Sequence, residues 1–450
     1  MSAIVINERQ DAMQARLTLA AIILTYITLA ILYAVRTPAW QAPDEPAHYN
    51  YVATLARGEW PVMRAGDWDS AALESYKAVR WVGVTDEQIA AIRYENHQPP
   101  LYYLLAVPVY ALSDGDLTAL RLYSALWGVV IVLCAYGVGA LLFPARREIG
   151  LASAAFVAFQ PMHLHILASV NNDALGWAVV AVGLWLGVAH LKRVPVLGQP
   201  VTPVMLGLIA GIGLITKATT YFMAGLLGGV VVVGWWLDGG RDTRALIAAC
   251  ARYLLVALAL GALWWGRNII VYGWPDFLGL AVHDVIVADQ PRTSERIDAL
   301  GWGGYLTELG RTTFNSFWGQ FGWMGLPLQA SWYAVIAVCV TLLLGGGLLA
   351  GWGAWGQSSR RQRWAWALLA LTIVAAIGAY LYYNSEFQQY QGRYMFTLLI
   401  PLGVWLACGA DFWRRRFTAG RWPVLTTALI ALPLLTFALY LIWRVIPGGL

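Results

Sequence analysis

The chain has 450 residues, 59% of them hydrophobic and 12% charged, and it carries 24 Trp. Its net charge of +5 comes from 30 Lys and Arg against 25 Asp and Glu. This composition excludes a soluble domain, and basic residues confined to short clusters between apolar runs exclude a nucleic-acid surface.

The apolar runs predict an all-α polytopic membrane protein with about eleven spans. They fall at roughly 17–35, 120–143, 150–169, 173–191, 203–218, 220–237, 245–265, 333–353, 364–383, 394–410 and 423–444. The first is long enough to span, and no small-residue cleavage site follows it, so a retained first helix is expected rather than a signal peptide. With the N-terminus inside, the even-numbered gaps should be basic. They hold Arg146 and Arg147, Lys192 and Arg193, Arg241 and Arg244, Arg360, Arg361 and Arg363, and Arg414, Arg415, Arg416 and Arg421. Five successive gaps agree. Residues 1–450 read as a single transmembrane unit with two long outer loops, 36–119 and 266–332, in which short interfacial helices are expected.

The run at 99–113 is short. Counting it as a span would reverse every later gap, so it reads as a helix lying in or re-entering the outer interface. Before it, Thr85-Asp86-Glu87-Gln88 fits a capping box, which predicts a short helix over 86–94. Gly347 and Gly351 read as a helix-packing pair. Gly211-Ile212-Gly213 lies inside a span and follows no strand, so it is no nucleotide loop. Cys134, Cys250, Cys339 and Cys408 are widely separated within apolar runs and imply neither a disulfide framework nor a metal framework.

The residues suited to chemistry cluster at the outer ends of the spans. Pro43-Asp44-Glu45-Pro46-Ala47-His48 follows the first span. Adjacent carboxylates near lipid need a reason. They can accept a proton from a hydroxyl or hold a metal; a solvated turn with Asp44 as a helix cap is the alternative. His48, four residues on, shares a helical face with Asp44 and suits substrate, metal or structure. Glu95-Asn96-His97-Gln98-Pro99-Pro100 offers a rigid hydrogen-bonding edge for sugar hydroxyls, or a helix stop before a Pro-initiated helix. Asn171-Asn172-Asp173 is a turn former in which the acid Asp173 is also a candidate substrate ligand. His163 and His165, two apart, lie on different helix faces and do not make a metal pair.

Lys217, Arg267 and Arg393, the last followed by Tyr394, all fall at the outer interface, where basic residues are disfavoured. Snorkelling accounts for any one of them; three at one depth suit a lipid phosphate. Trp302, Tyr305, Trp318 and Trp323 in the second loop offer faces for sugar stacking.

Taken together, the chain resembles the polytopic GT-C glycosyltransferases, a superfamily that includes protein O-mannosyltransferases and the aminoarabinose transferases of lipid A. The resemblance rests on Pro43-Asp44-Glu45-Pro46-Ala47-His48, His97-Gln98-Pro99-Pro100-Leu101-Tyr102-Tyr103, Thr216-Lys217 and Gln391-Gly392-Arg393-Tyr394. It implies a sugar donor on polyprenyl phosphate, attack by an acceptor hydroxyl of a glycan, lipid or protein, and inversion at the anomeric carbon. On this resemblance Asp44 is the general base and Glu45 its partner. Arg393 and Lys217 hold the donor phosphate; from their own chemistry and position His48, Glu95, His97, Gln98, Asp173, Arg267 and Tyr394 are the expected substrate contacts. A divalent metal such as Mg or Mn is left open, with Asp44, Glu45 or His48 as its ligands. The implied setting is a bacterial inner membrane, with the N-terminus cytoplasmic, the site facing the periplasm and membrane lipids as surroundings. No large soluble C-terminal domain such as some members carry is expected, so acceptor recognition is expected from the two outer loops.

Two other classes compete. An O-antigen polymerase or ligase would place its cations in the late loop, where His283, Arg292, Arg296 and Arg311 are available. A lipid-linked sugar transporter or flippase would show ionisable residues at mid-membrane and symmetric repeats; the charges fall at span boundaries instead.

Overall fold

The computed structural model describes residues 2–450. α1 (Ser2–Arg36) leads into segment 37–116, which holds four short helices: α2 (Glu45–Ala56), α3 (Ser70–Ala78), α4 (Asp86–Ala90) and α5 (Leu101–Leu112). α6 (Leu117–Leu142), α7 (Arg147–Phe159), α8 (Pro161–Leu167), α9 (Asp173–Lys192), α10 (Pro203–Leu214), α11 (Tyr221–Leu237) and α12 (Thr243–Tyr272) follow. Segment 273–329 contains α13 (Leu280–Ile286), α14 (Thr293–Gly319) and two two-residue strands, Gln320–Phe321 and Leu326–Pro327, paired antiparallel. α15 (Ala330–Trp355), α16 (Arg360–Glu386), a tight 3₁₀ stretch at Gly392–Leu398, α17 (Leu399–Thr418) and α18 (Val424–Tyr440) complete the bundle.

Several helices begin where a side chain can receive the first free N–H groups. Asp116 accepts from Ala119 N at 2.7 Å, and Ser359 accepts from Gln362 N at 3.2 Å. The expected capping box is present: Thr85 and Gln88 bond each other's backbone, although α4 ends at Ala90 rather than 94.

The chain is an all-α, multi-pass membrane protein. Among the described residues, nine helices are long and apolar enough to cross a membrane, and the bent pair α7–α8 makes up to ten. The fifth expected span, 203–218, shortens to the 12-residue α10. At about 1.5 Å per residue it is too short to cross alone. The span at 150–169 is broken with a 60° bend, because Pro161 has no N–H to continue the ladder. Gln160 fills the break, bonding the backbone of His163 and of Phe317. α5 is likewise only 12 residues, in keeping with a helix that does not span. The second long segment departs most from expectation. It is dominated by the 27-residue α14, kinked at Gly301, and α12 runs on to Tyr272.

The five basic gaps come together at one end of the bundle. Lys192 bonds Gln362 at 2.6 Å, Gln362 bonds Leu142 O at 3.0 Å, and Arg361 and Arg193 share Asp238. Arg146 and Arg414 share Asp411 at 3.0 and 2.6 Å. The opposite end gathers both long segments. The basic gaps read from the sequence therefore share one end of the bundle. At the centre lie α9 and the Gly392–Thr418 span, whose apolar windows are 83% and 78% buried. α12 and α15, at 17% and 11%, form the rim.

Candidate active site

Asp44 and Glu45 part company at the first turn of α2. Asp44 occupies the cap position with φ 67°, yet its carboxylate caps nothing. A left-handed non-glycine residue is strained by about 1–3 kcal/mol, and the surrounding bonds hold it there. Tyr94 OH donates to Asp44 Oδ1 at 2.7 Å, and Arg393 Nη2 donates to Oδ2.

Glu45 is fully buried. Arg121 clamps it with bonds of 2.7 and 2.6 Å, and the backbone N–H groups of Trp40 and Val170 complete its shell at 3.1 and 3.2 Å. The remaining Arg121 donors go to the carbonyls of Ala34, Thr37 and Pro38. Glu45 and Arg121 thus tie the end of α1, the start of α2, α6 and the turn before α9 together. Fixing Glu45 fixes the neighbouring Asp44.

Arg393 reaches Asp44 through close backbone packing. A Cβ on Gly392 would fall on the backbone N of Phe317 and 2.6 Å from its Cα. Glycine lets the 3₁₀ stretch lie directly on α14, where Gly392 N donates to Ser316 Oγ at 2.8 Å. The Arg393 side chain is 3% exposed. Its Nε and Nη1 have no protein acceptor. Tyr394 lies beside it, its ring centre 5.2 Å from the guanidinium carbon.

A second cation stands in the break after α10. Residues 215–217 leave the helix, and Leu101 N bonds Ile215 O at 3.0 Å, tying the break to α5. Lys217 pairs with Asp173 Oδ1 at 2.7 Å and donates to Asn172 Oδ1 at 2.8 Å. Asn172 Nδ2 donates in turn to Gln98 Oε1 at 3.3 Å. The other oxygen of Asp173 and Oε2 of Glu95 are buried without partners. Asn171 Oδ1 accepts from Asp173 N at 2.9 Å, so the Asn-Asn-Asp turn is both a turn and part of the site.

The local charges shift the titrating groups. Burial alone would raise Asp44, but the Arg393 charge overrides it and holds the carboxyl at about 2. Burial, then the charge of Asp44, raises Glu95 to about 7. Burial, then Lys217, holds His48 well below the usual histidine range. His48 is thus a neutral ring, with Nδ1 2.8 Å from Tyr103 OH.

Asp44, His48 and Glu95 each present one ligand atom, all within 4.8 Å of one another. The two carboxylates suit Mg or Mn, the imidazole suits a softer divalent metal better, and the free Glu95 oxygen fits a cation. Arg393 competes with such an ion for Asp44. Glu45, whose oxygens are engaged by Arg121, is outside this triad, and Glu95 takes the place expected for it.

Other expected residues are placed elsewhere. Arg267 is half-buried over the rings of Trp264 and Tyr272 and donates to Pro61 O, so it ties α12 to the first long segment. His97 packs against His283 of α13 with ring centres 4.2 Å apart and the planes tilted by 50°. Tyr305 and Trp318 are core residues at 4% exposure, which removes them as sugar platforms. Of the late-loop cations that a polymerase or ligase would need, Arg292 is paired with Glu386 and Arg296 with Glu308. The sequence reading missed Arg121, Tyr94 and Tyr103. A lone arginine inside an apolar run was the available signal for the first.

Three comparisons bear on this arrangement. The family model described as dolichyl-phosphate-mannose-protein mannosyltransferase matches residues 97–265. That stretch takes in Gln98, Asp173 and Lys217 and leaves Asp44 and Arg393 outside. No curated protein matches the chain in sequence. Among solved structures, ArnT from Cupriavidus metallidurans bound to undecaprenyl phosphate superposes with a TM-score of 0.54 at 13% identity, covering 95% of this chain and 78% of that one. The same protein in its apo state gives 0.54 at 14% identity over the same shares. The chain shares the fold of ArnT. In this chain the ring of charges around Asp44 lies at the bundle end that carries both long segments.

Proposed function

We propose that the chain is a membrane glycosyltransferase that moves a sugar from a polyprenyl-phosphate donor to an acceptor hydroxyl, with inversion. The carrying observation is Arg393: a buried guanidinium with two unpartnered N–H donors beside the carboxylate of Asp44. Buried donors seek an acceptor, and a phosphate matches a guanidinium in charge and geometry. The fold similarity to a protein crystallised with undecaprenyl phosphate supports the same ligand class here.

The reaction needs little else. The acceptor oxygen attacks the anomeric carbon, its proton passes to Asp44, and the bond from carbon to the donor phosphate oxygen breaks on the opposite face. The leaving phosphate keeps its charge, so it requires cations rather than an acid; Arg393 and Lys217 supply them. A retaining hydrolase would require two carboxylates about 5 Å apart across the sugar, and Glu45 is engaged by Arg121 instead. Glu95, Gln98 and Asp173 are placed to bind hydroxyls of the sugar. If a divalent ion binds, Asp44, His48 and Glu95 would hold it, and it would add charge stabilisation at the phosphate.

The reading treats residues 1–450 as one GT-C unit in a bacterial inner membrane. The basic end faces the cytoplasm by the positive-inside rule, and the site faces the periplasm. The test is transfer of labelled sugar from a polyprenyl-phosphate donor by the purified protein in lipid nanodiscs. Asp44→Asn should abolish transfer and Arg311→Ala should leave it. The reverse result would favour a polymerase or ligase. Movement of the donor between leaflets without transfer would favour a flippase.

A further inference from the structure

A cavity of 1190 Å³ opens at the basic end of the bundle, far along the helices from Asp44, between α6, α15, α16 and α17. It is larger than the roughly 300–1,000 Å³ of small-molecule sites. Its walls are aromatic, with Trp352, Trp355, Trp366 and Trp405 among the lining residues. Trp352 is 90% exposed and Trp355 53%. Gly351 forms part of the α15 wall, and a Cβ there would meet nothing within 4 Å.

One edge of the cavity is cationic. Arg146, Arg415 and Arg416 line it together with a single carboxylate, Asp411. Both oxygens of Asp411 are already bonded. Arg414 holds Oδ1 at 2.6 Å, while Arg146 and Arg415 reach Oδ2 at 3.0 and 3.1 Å. The three lining arginines against one acid leave an excess of two positive charges. Arg415 is half exposed, and Arg416 is exposed on the same turn.

We propose that this groove binds an anionic membrane phospholipid. Its headgroup phosphate sits on Arg415 and Arg416, and its acyl chains lie along the tryptophans of α15 and α17. Basic residues at this end serve as topology markers in any case. What distinguishes Arg415 and Arg416 is the aromatic-walled cavity they border, since basic pockets between spanning helices recognise anionic lipid headgroups. A neutral lipid would leave the cationic edge unmatched, and a soluble phosphate would leave the aromatic walls unmatched. The site is independent of the transfer chemistry.

The experiment titrates delipidated protein with phosphatidylglycerol, phosphatidylcholine, undecaprenyl phosphate and inorganic phosphate, followed by native mass spectrometry and Trp fluorescence. Saturable binding of phosphatidylglycerol is expected, without comparable binding of phosphatidylcholine or inorganic phosphate. Arg415→Gln with Arg416→Gln should weaken it about tenfold or more. Gly351→Leu, which fills the groove from an open position, should weaken it with the melting temperature unchanged. Arg241→Gln with Arg244→Gln removes the same charge from another gap and should leave binding intact. The proposal fails if phosphatidylcholine binds equally well or if the control pair weakens binding as much. It also fails if neither groove variant changes binding, or if undecaprenyl phosphate binds the groove and phosphatidylglycerol does not.

Discussion

Arg393 donates to Asp44 across 349 residues of chain, so one guanidinium serves both the proposed base and the proposed phosphate site. With that bond in place Asp44 is held at about 2, a weak base. Burial pulls the other way. A donor phosphate that draws the guanidinium to itself relieves the carboxylate, and its basicity rises as the substrate arrives. Base strength is thereby coupled to donor binding.

Replacing either partner should separate the two roles. Asp44→Asn should lower single-turnover transfer by about 10²–10⁴-fold, the usual contribution of a general base. Its donor affinity should hold or increase, because Arg393 is freed of a competing anion. Arg393→Ala should lose donor affinity as well as transfer. Equilibrium binding of a polyprenyl-phosphate sugar beside single-turnover kinetics measures both. Loss of donor binding in Asp44→Asn would contradict the coupling.

Glu95 gives the site a titration near neutrality. Burial and Asp44 raise it to about 7, so it ionises as the pH climbs through that value. Its new negative charge, beside Arg393 and Lys217, opposes a bound phosphate. Donor affinity should fall about tenfold between pH 6 and 8, and Glu95→Gln should flatten the curve. The donor must be a phosphodiester, which keeps one charge throughout this range. The stability effect has the same direction. The folded chain holds this proton more tightly than the unfolded chain, so the contribution is complete below about pH 4.5 and lost as the pH rises through about 7. Thermal melts of wild type and Glu95→Gln across that window read it directly.

Glu45 and Arg121 form a buried ion pair whose job is position. Arg121→Ala leaves an unpaired carboxylate at zero exposure and should cost about 3–5 kcal/mol. Glu45→Gln keeps the size and some of the hydrogen bonds and should cost less. In both, transfer should fall together with the melting temperature, while the pH profile of the surviving activity keeps its shape. Glu45→Gln with full stability and a shifted pH profile would instead give Glu45 a chemical role.

Much of this fold could be read from the chain. Five basic gaps predicted two ends, and Gln362, Asp238 and Asp411 join those gaps in the structure. The acid at 44, the Asn-Asn-Asp turn and the cations at 217 and 393 were visible as polar interruptions of apolar runs. Their partners were not. Asp44 meets Arg393, and Glu45 meets Arg121, through helix packing that spacing does not encode. α14 was hidden because its apolar residues form no continuous run: Thr, Asp, Glu and Arg are scattered along a helix that lies among others. The break at 160 did have a signal in Pro161, which the length of the apolar run obscured.

Gly392 offers a test that removes no charged group. Its missing side chain allows the 3₁₀ stretch to rest on the backbone of Phe317, with a hydrogen bond to Ser316. Gly392→Ala must push the stretch off α14, and Arg393 moves with it. A shift of about 1 Å in a positioning group is enough to lower a rate about a hundredfold. Transfer should therefore drop while Asp44, Glu95 and Lys217 remain chemically intact. Gly403 lies in α17 beyond that stretch, and its Cβ would meet Phe156 and Ser153 at 3.0 and 3.1 Å. Gly403→Ala is the matched control: it should lower the melting temperature with a far smaller loss of transfer per folded molecule. Equal losses for the two variants would mean that Gly392 acts through general stability and not through the placement of Arg393.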